Sequence, residues 1–524
     1  MLPLRNITID QAVREAVEKY SPRPALAFGG RHWTYAEFDA EVDRIARLLL
    51  GIGVRKGTHV GILCEAEPNA IFSMFALSRI GAVTILFNTS LRRTELRDLM
   101  DHTDVEYLLI GDGYKDIDYR QECFGFVGGL SVLQEIFSIG LSGQAAGYRT
   151  LEELVPEMAG EDALARAVSL VRPKDDAFML FTSGTMSRPK AVVTTHYSRV
   201  NSGLQQGRDQ ALTEEDRLCV AMPTFHCFCL SVNVMASLFS GACLCLPDSR
   251  RTEDLLATIR DEHCTVMSSV PALFHAIMSR EDFDEWDLSS LRCGFIGGSF
   301  CTAERFREIE RRFGFTLLSS LGQTEATAGI TTAYLEDSLD VRAKTVGHFM
   351  DHVEGKVDKQ GEVCVRGYVV MKEYYKDPEA TAKVIDRDGW LHTGDKGYLT
   401  EEGNLVLTGR IREFIIRGGE NISPVEIEAV FADDSRVREC KAVGVPDEHY
   451  GEEIAICIVR QDGAALTEEE VRETYEKTLA HFKVPRYVCF FQDLPKGASG
   501  KVYTGYLRRI AARSLDLEPK GTNE

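Results

Sequence analysis

The sequence predicts an α/β protein with a large N-terminal domain of helix-covered, mostly parallel sheets, a β-rich subdomain and a small α+β C-terminal domain. Three observations predict it. At 524 residues the chain exceeds one ordinary domain, so two or more cores are expected. Helical and strand patterns then alternate along most of the chain, which is the signature of parallel strands covered by crossover helices. Finally, the texture changes twice: at about Ala343 to short strands of period two, and past Gly409-Arg410 to a fresh set of helices and strands. The expected division is 1–410, with the β-rich subdomain at about 343–410, and 411–524.

The elements follow in order. Thr8 with Gln11 spells a capping box for a helix through about Glu18, and Asp39 to Leu50 carries apolar residues at helical spacing before Gly51. His59 to Cys64 reads as a strand, followed by helix Ala70 to Arg79, strand Ala82 to Phe87, helix Glu95 to His102 and strand Tyr107 to Ile110. Gly125 to Tyr148 is glycine-rich and weakly periodic, an excursion from the core. The alternation resumes with strands Arg217 to Ala221 and Ala242 to Leu246, helix Glu253 to Glu262, strand Thr265 to Ser268, helix Pro271 to Ser279 and strand Arg292 to Ile296, which runs into Gly297-Gly298-Ser299. There the missing side chains let backbone approach a flat ligand. In the last unit, helices are expected at Val425 to Phe431 and Thr467 to Leu479, with strands at Lys441 to Val445, Glu453 to Val459 and Tyr487 to Phe491.

Bulk properties narrow the partners. Eighty acids against 60 bases give a net charge of −20, which argues against general nucleic-acid binding and adhesion to anionic membrane. A polyanionic ligand must find a local basic site, and one exists between His481 and Arg513, where Asp493 is the sole acid among seven lysines and arginines. The fourteen cysteines form no CxxC pair, so reduced thiols in a cytosol are the simplest account. Cys227, Cys229, Cys243 and Cys245 beside His226 read as buried apolar residues in preference to a metal cluster. No export signal is apparent, and the uncharged run Leu218 to Pro247, broken by Pro223, His226, Asn233 and Gly241, reads as core and not as a membrane span. A cytoplasmic enzyme without an integral membrane segment is expected; oligomeric state is unspecified, and a homodimer is compatible with the sequence.

Chemistry is concentrated in Thr182-Ser183-Gly184-Thr185-Met186-Ser187-Arg188-Pro189-Lys190, between the apolar runs Ala177 to Phe181 and Ala191 to Val193. Gly184 permits unusual backbone angles, the hydroxyls and backbone N–H groups can donate to phosphate oxygens, and Lys190 supplies charge. On its own the loop serves equally as a polar hairpin. It is not a Walker loop, since Pro189 precedes the lysine and Ala191 follows it.

Together with four other stretches, this loop resembles the adenylate-forming superfamily, and within it the AMP-forming acyl-CoA synthetases. The four are Leu321-Gly322-Gln323-Thr324-Glu325, Trp390-Leu391-His392-Thr393-Gly394-Asp395, the run Gly409 to Glu428 containing Arg417-Gly418-Gly419-Glu420-Asn421, and Pro495-Lys496-Gly497-Ala498-Ser499-Gly500-Lys501. Each is a weak motif alone, but all occur in the family's order across nearly the whole chain. The resemblance implies ATP, Mg²⁺ and coenzyme A as reaction partners of a small carboxylic acid. It implies that Thr182, Ser183, Gly184, Thr185 and Lys190 hold the leaving pyrophosphate, that Glu325 binds Mg²⁺, and that Thr324 meets the α-phosphate within the Gly322-Gln323 motif. Gly297, Gly298 and Ser299 would wall the adenine slot, Asp395 would accept from the ribose hydroxyls, and Arg410 would assist. Lys501 would be the principal adenylation cation, acting by electrostatic stabilisation of an in-line displacement. The small C-terminal domain would be mobile about a hinge at Arg412, bringing Arg417, Gly418, Gly419 and Glu420 to line a tunnel for pantetheine. Pro223-Thr224-Phe225-His226 resembles the segment whose His flanks the acyl carboxylate, and its neighbours Cys227, Phe228, Cys229 and Leu230 favour an uncharged acyl group such as a fatty chain.

The chain departs from the family pattern at Met186-Ser187-Arg188, at Ala191, and at Leu321, where a tyrosine usually stacks on adenine. Losing such a stack costs about 0.5–1.5 kcal/mol, less than losing a transition-state donor, and Lys190, Glu325 and Lys501 are all present. The expectation is therefore an active acyl-CoA ligase. Loading of a carrier-protein thiol and a non-catalytic nucleotide or acyl sensor remain the alternatives.

Overall fold

The computed structural model describes residues 3–141, 147–182, 189–298, 301–410, 414–431, 434–495, 502 and 504–517, with Arg410 described in its backbone only. Two large sheets dominate. One has eight strands and is parallel from Asp176–Thr182 through Val83–Leu86, His59–Leu63, Tyr107–Ile110 and Glu135–Ser138, with antiparallel strands Lys190–Thr195 and Glu373–Tyr374 added at one side. The other has nine strands and is parallel from Thr316–Leu321 through Cys293–Ile296, Val266–Met267, Arg217–Cys219 and Cys243–Cys245 to Pro24–Phe28. Their strands are continuous apolar runs, as parallel strands covered on both faces must be.

Helices Ile9–Tyr20, Tyr35–Gly51, Pro68–Ile80 and His196–Asp209 pack with residues of both sheets in one core, which includes Val60 and Leu180 from the eight-stranded sheet and Leu26 and Leu244 from the nine-stranded one. The capping box expected at Thr8 is formed: Thr8 Oγ1 accepts from the Gln11 amide at 3.2 Å, and Gln11 Oε1 from the Thr8 amide at 2.8 Å. Helix Pro68–Ile80 is apolar almost all round and accordingly buried. Its one cation, Arg79, is fully buried and meets Asp10, Asp39 and Asp43 at 2.5 Å each, tying three helices together.

The uncharged run is core, as its composition predicts. Between strands Arg217–Cys219 and Cys243–Cys245 it forms a π-helical segment, Cys229–Met235, and a short helix, Ala236–Ser240. All fourteen cysteines are free thiols. Among the described residues no helix is long and apolar enough to cross a membrane. Among the described residues, the group whose donor atoms lie within 4.8 Å of one another is Asp358, Glu362, Cys364 and His392, not the cysteine set. Those donors already engage one another and backbone: Glu362 takes the His392 Nδ1 contact at 2.9 Å and the Gly394 amide at 2.9 Å.

A four-stranded antiparallel sheet, Val353–Val357, Glu362–Gly367, Leu391–Leu399 and Leu405–Arg410, follows the large sheets. The smaller C-terminal domain is a five-stranded sheet in which Val437–Asp447 and Gly451–Arg460 form a long hairpin and Tyr487–Phe491 runs parallel to the latter. Helices Pro424–Ala429, Glu468–Thr478 and Thr504–Ser514 cover it.

One half-buried acid makes the large domain sensitive to pH. Glu67, just before helix Pro68–Ile80, has a buried Oε2 without a hydrogen-bond partner. Burial first, and the Asp112 charge second, push its carboxyl up to about 7. Because the folded pKa lies above the unfolded one, the fold favours the protonated acid. The cost is absent below pH about 4.5, grows as pH rises and is complete above about 7, reaching roughly 3 kcal/mol. Glu67→Gln is expected to raise the thermal midpoint at pH 8 and to change it little at pH 4.5, measured by differential scanning calorimetry. Equal shifts at both pH values would remove ionisation as the cause.

Candidate active site

The hydroxyl-rich loop connects an antiparallel hairpin, with Thr182 paired across from Lys190. Ser183, Gly184 and Thr185 lie outside the described residues, as do Ser299, Arg412 and Lys501. The hairpin nevertheless fixes the cation: Lys190 Nζ sits 4.7 Å from the centre of the Tyr374 ring. Tyr374 reaches this position because Glu373–Tyr374 adds to the hairpin edge, with Val192 opposite Tyr374. Its hydroxyl donates to Glu325 Oε1 at 2.7 Å. A cation, a phenol and a carboxylate are thereby lined up on one wall.

Glu325 and Thr324 belong to a single 3₁₀ turn, Thr324–Ala326, at the end of strand Thr316–Leu321. The turn is tight. Thr327 and Ala328 follow with φ of 50° and 85°, and a Cβ at Gly322 would lie 1.6 Å from the Ala328 carbonyl oxygen, so only glycine fits there. The Met371 amide donates to the Glu325 carbonyl at 2.8 Å and holds the turn against the neighbouring segment. Thr324 Oγ1 donates to Cys227 Sγ at 3.7 Å, joining this turn to the His226 segment.

Gly297 and Gly298 lie at the end of strand Cys293–Ile296, parallel to the strand that feeds the 3₁₀ turn. Two adjacent strand ends thus deliver glycines and acid to one crevice, where ligands of open α/β sheets bind. Asp395, almost fully buried, stands on Leu391–Leu399 with Arg410 as its ladder partner. Leu321 is buried in the cavity wall.

The C-terminal domain closes the crevice. His226 Nε2 meets Glu420 Oε1 at 2.9 Å, and its ring packs on Phe225 at 4.6 Å between centroids. Burial alone would raise the Glu420 carboxyl, but His226, Lys483 and Arg250 hold it below the usual carboxylate range. Arg417 is pinned by Glu453 at 2.7 Å and by the Phe482 carbonyl at 2.9 Å, and lies over the Tyr450 ring. Gly418 and Gly419 have φ of 60° and 93°, the latter seated against Val270.

The result is a cavity of about 1020 Å³ whose walls include Lys190, Gly297, Glu325, Asp395, Gly419 and Glu420. Thr182, His226, Gly298, Gly322, Gln323, Thr324 and Gly418 line it as well, whereas Arg417 stands behind the glycines as their anchor. Residues brought in without a sequence signal are Tyr374, Val270, Tyr450 and Arg250, the last held by Glu65 at 2.8 Å. Nothing in their local pattern separates them from ordinary strand and loop residues.

Residues 13–375 match the AMP-binding enzyme family and residues 426–501 the AMP-binding enzyme C-terminal domain. The chain belongs to the AMP-binding enzyme family. Within that family it falls in the acyl-CoA synthetase branch of the adenylate-forming enzymes. It is 34% identical over 99% of both chains to a putative acyl-CoA synthetase, YngI, of Bacillus subtilis. It is 33% identical to the acyl-CoA ligase sidI of Aspergillus fumigatus, covering 98% of this chain and 92% of that one. Among solved structures, o-succinylbenzoate CoA synthetase of Bacillus subtilis superposes with a TM-score of 0.79 at 25% identity, covering 96% and 99% of the two chains. An amide bond synthetase, McbA, of Marinactinospora thermotolerans gives 0.84 at 25% identity, with coverage of 96% and 99%.

Proposed function

We propose that this chain is an AMP-forming acyl-CoA ligase that activates an acid with an uncharged chain. The carboxylate attacks the α-phosphorus of ATP and expels pyrophosphate; the CoA thiol then attacks the acyl-adenylate carbonyl and releases AMP. The observation that carries the reading is the meeting of Glu420, from the C-terminal domain, with His226 in the same cavity that holds Glu325 and Asp395. Equipment for both half-reactions thus faces one space.

In this reading Thr182, Ser183, Gly184, Thr185 and Lys190 hold the departing phosphates, Thr324 meets the α-phosphate and Asp395 the ribose. A hard cation suits the Glu325 carboxylate, which faces the cavity beside Lys190; Mg²⁺ there would neutralise phosphate charge. Phe228, Val270, Leu273 and Ile296 supply an apolar wall for the acyl chain, in keeping with a relative described as a medium-chain acyl-CoA ligase from Danio rerio, 30% identical. The unit 411–524 turns about Arg412 between half-reactions, presenting Lys501 for adenylation and the Arg417 to Glu420 loop for thioester formation.

Mass spectrometry of products from ATP, Mg²⁺ and a panel of fatty, aromatic and steroid-like acids, with and without CoA, tests this. Acyl-CoA is expected only with CoA, and Lys501→Ala is expected to lower acyl-adenylate formation by about 100-fold or more. An acyl-adenylate that accumulates regardless of CoA would assign a carrier-protein acceptor instead. No AMP from any acid would favour a sensor.

A further inference from the structure

A second contact joins the domains, far in sequence from the glycine loop. Lys483, in the turn His481–Lys483 of the C-terminal domain, places its ammonium 2.8 Å from Glu95 Oε1 and 2.7 Å from Glu426 Oε1. Glu426 lies on helix Pro424–Ala429 of the same domain, but Glu95 lies on helix Arg93–His102 of the large domain. All three side chains are nearly excluded from water, at 7%, 11% and 9% exposure. Burial lowers the affinity of Lys483 for its proton, yet the two carboxylates outweigh it and keep the ammonium charged.

From this we infer that Glu95 is a positioning residue for thioester formation, a docking acid that sets the orientation of the C-terminal domain through Lys483; the inference rests on the two-step reading above. The same turn that carries Lys483 offers the Phe482 carbonyl to Arg417, at 2.9 Å. Arg417 begins the loop whose Gly419 seats on Val270 and whose Glu420 reaches His226. The ion pair on helix Arg93–His102 and the loop at the cavity are therefore two ends of one short structural path, and together they fix the domain at two points.

The charge arrangement suits a reversible dock. An ion buried within one domain is trapped there by the cost of desolvation. Here Lys483 has its own counterion in Glu426, so the pair can leave together as a neutral unit while Glu95 regains water. Glu95 Oε2 is buried without a hydrogen-bond partner, so docking leaves one of its lone-pair sites unsatisfied and is not excessively tight. Glu95 touches no reacting group, and its action is on the orientation alone.

The test uses the full-length protein and Glu95→Gln, which keeps the shape and removes the charge. Transfer of preformed acyl-adenylate to CoA, followed in a single turnover, is expected to fall about tenfold, while ATP–pyrophosphate exchange stays within about twofold. Hydrogen exchange of the peptide spanning 414–422 is expected to quicken at least about fivefold, because its docked amides lose protection. Loss of both half-reactions in equal measure would make Glu95 a support of the fold and overturn the inference, as would unchanged transfer. The exchange measurement needs no turnover, so it decides the docking role even if the wild-type enzyme makes no thioester: unchanged protection in Glu95→Gln would overturn it.

Discussion

Glu325→Gln is expected to slow ATP–pyrophosphate exchange by about 100- to 1,000-fold and to raise the Mg²⁺ concentration needed for half-maximal rate. The amide keeps an oxygen to accept from the Tyr374 hydroxyl, now 2.7 Å from Oε1, and the backbone contact from Met371 is untouched, so the turn should stay folded. What disappears is the negative charge opposite Lys190, and with it a hard-cation ligand. The oxygens of the in-line transition state at phosphorus carry charge that the metal and cation together would offset, which is why the loss should appear in rate more than in fold. An exchange rate within a few-fold of wild type, with the same Mg²⁺ dependence, would move the metal away from Glu325.

Gly419→Ala is expected to cut thioester formation by about 100-fold while leaving pyrophosphate exchange largely intact. Two penalties fall on one atom. The residue has φ of 93°, which side chains rarely adopt, and its Cβ would stand 2.8 Å from Val270 Cγ1, a stiff β-branched neighbour. Both apply when the loop is docked against the large domain, and only the first applies otherwise. Quench-flow measurement of the two half-reactions separates them, and Val270→Ala in the same chain should restore part of the transfer rate by freeing space. Equal loss in both half-reactions would show that the loop serves adenylation as well.

Elements with strong local signals were legible in the sequence. Thr8 and Gln11 start a helix by satisfying backbone groups three residues apart, and the apolar run Tyr107–Ile110 is a strand because nothing else buries four successive large residues so well. Helix His196–Asp209 was not legible. Its sequence, HYSRVNSGLQQGRD, is polar, yet most of it is buried, with Arg199 bonding Thr194 and Ser231 and Ser202 bonding the Thr327 carbonyl. Several of its buried polar groups are satisfied by hydrogen bonds to other segments, such as Ser231 and Thr327, which hydrophobic periodicity does not register.

The same division runs through the site. The sequence by itself determined the α/β plan, the family, and the residue types at Lys190, Glu325, Asp395 and Glu420, because glycine spacing and charge in short motifs are local properties. Only the tertiary structure decided which of these face one another. It set Tyr374 between Lys190 and Glu325, Glu420 on His226 across 194 residues, and Lys483 on Glu95 across 388. Contacts of that separation depend on how sheets stack and domains dock, and those are set by the summed packing of whole surfaces, not by any pattern within a few residues.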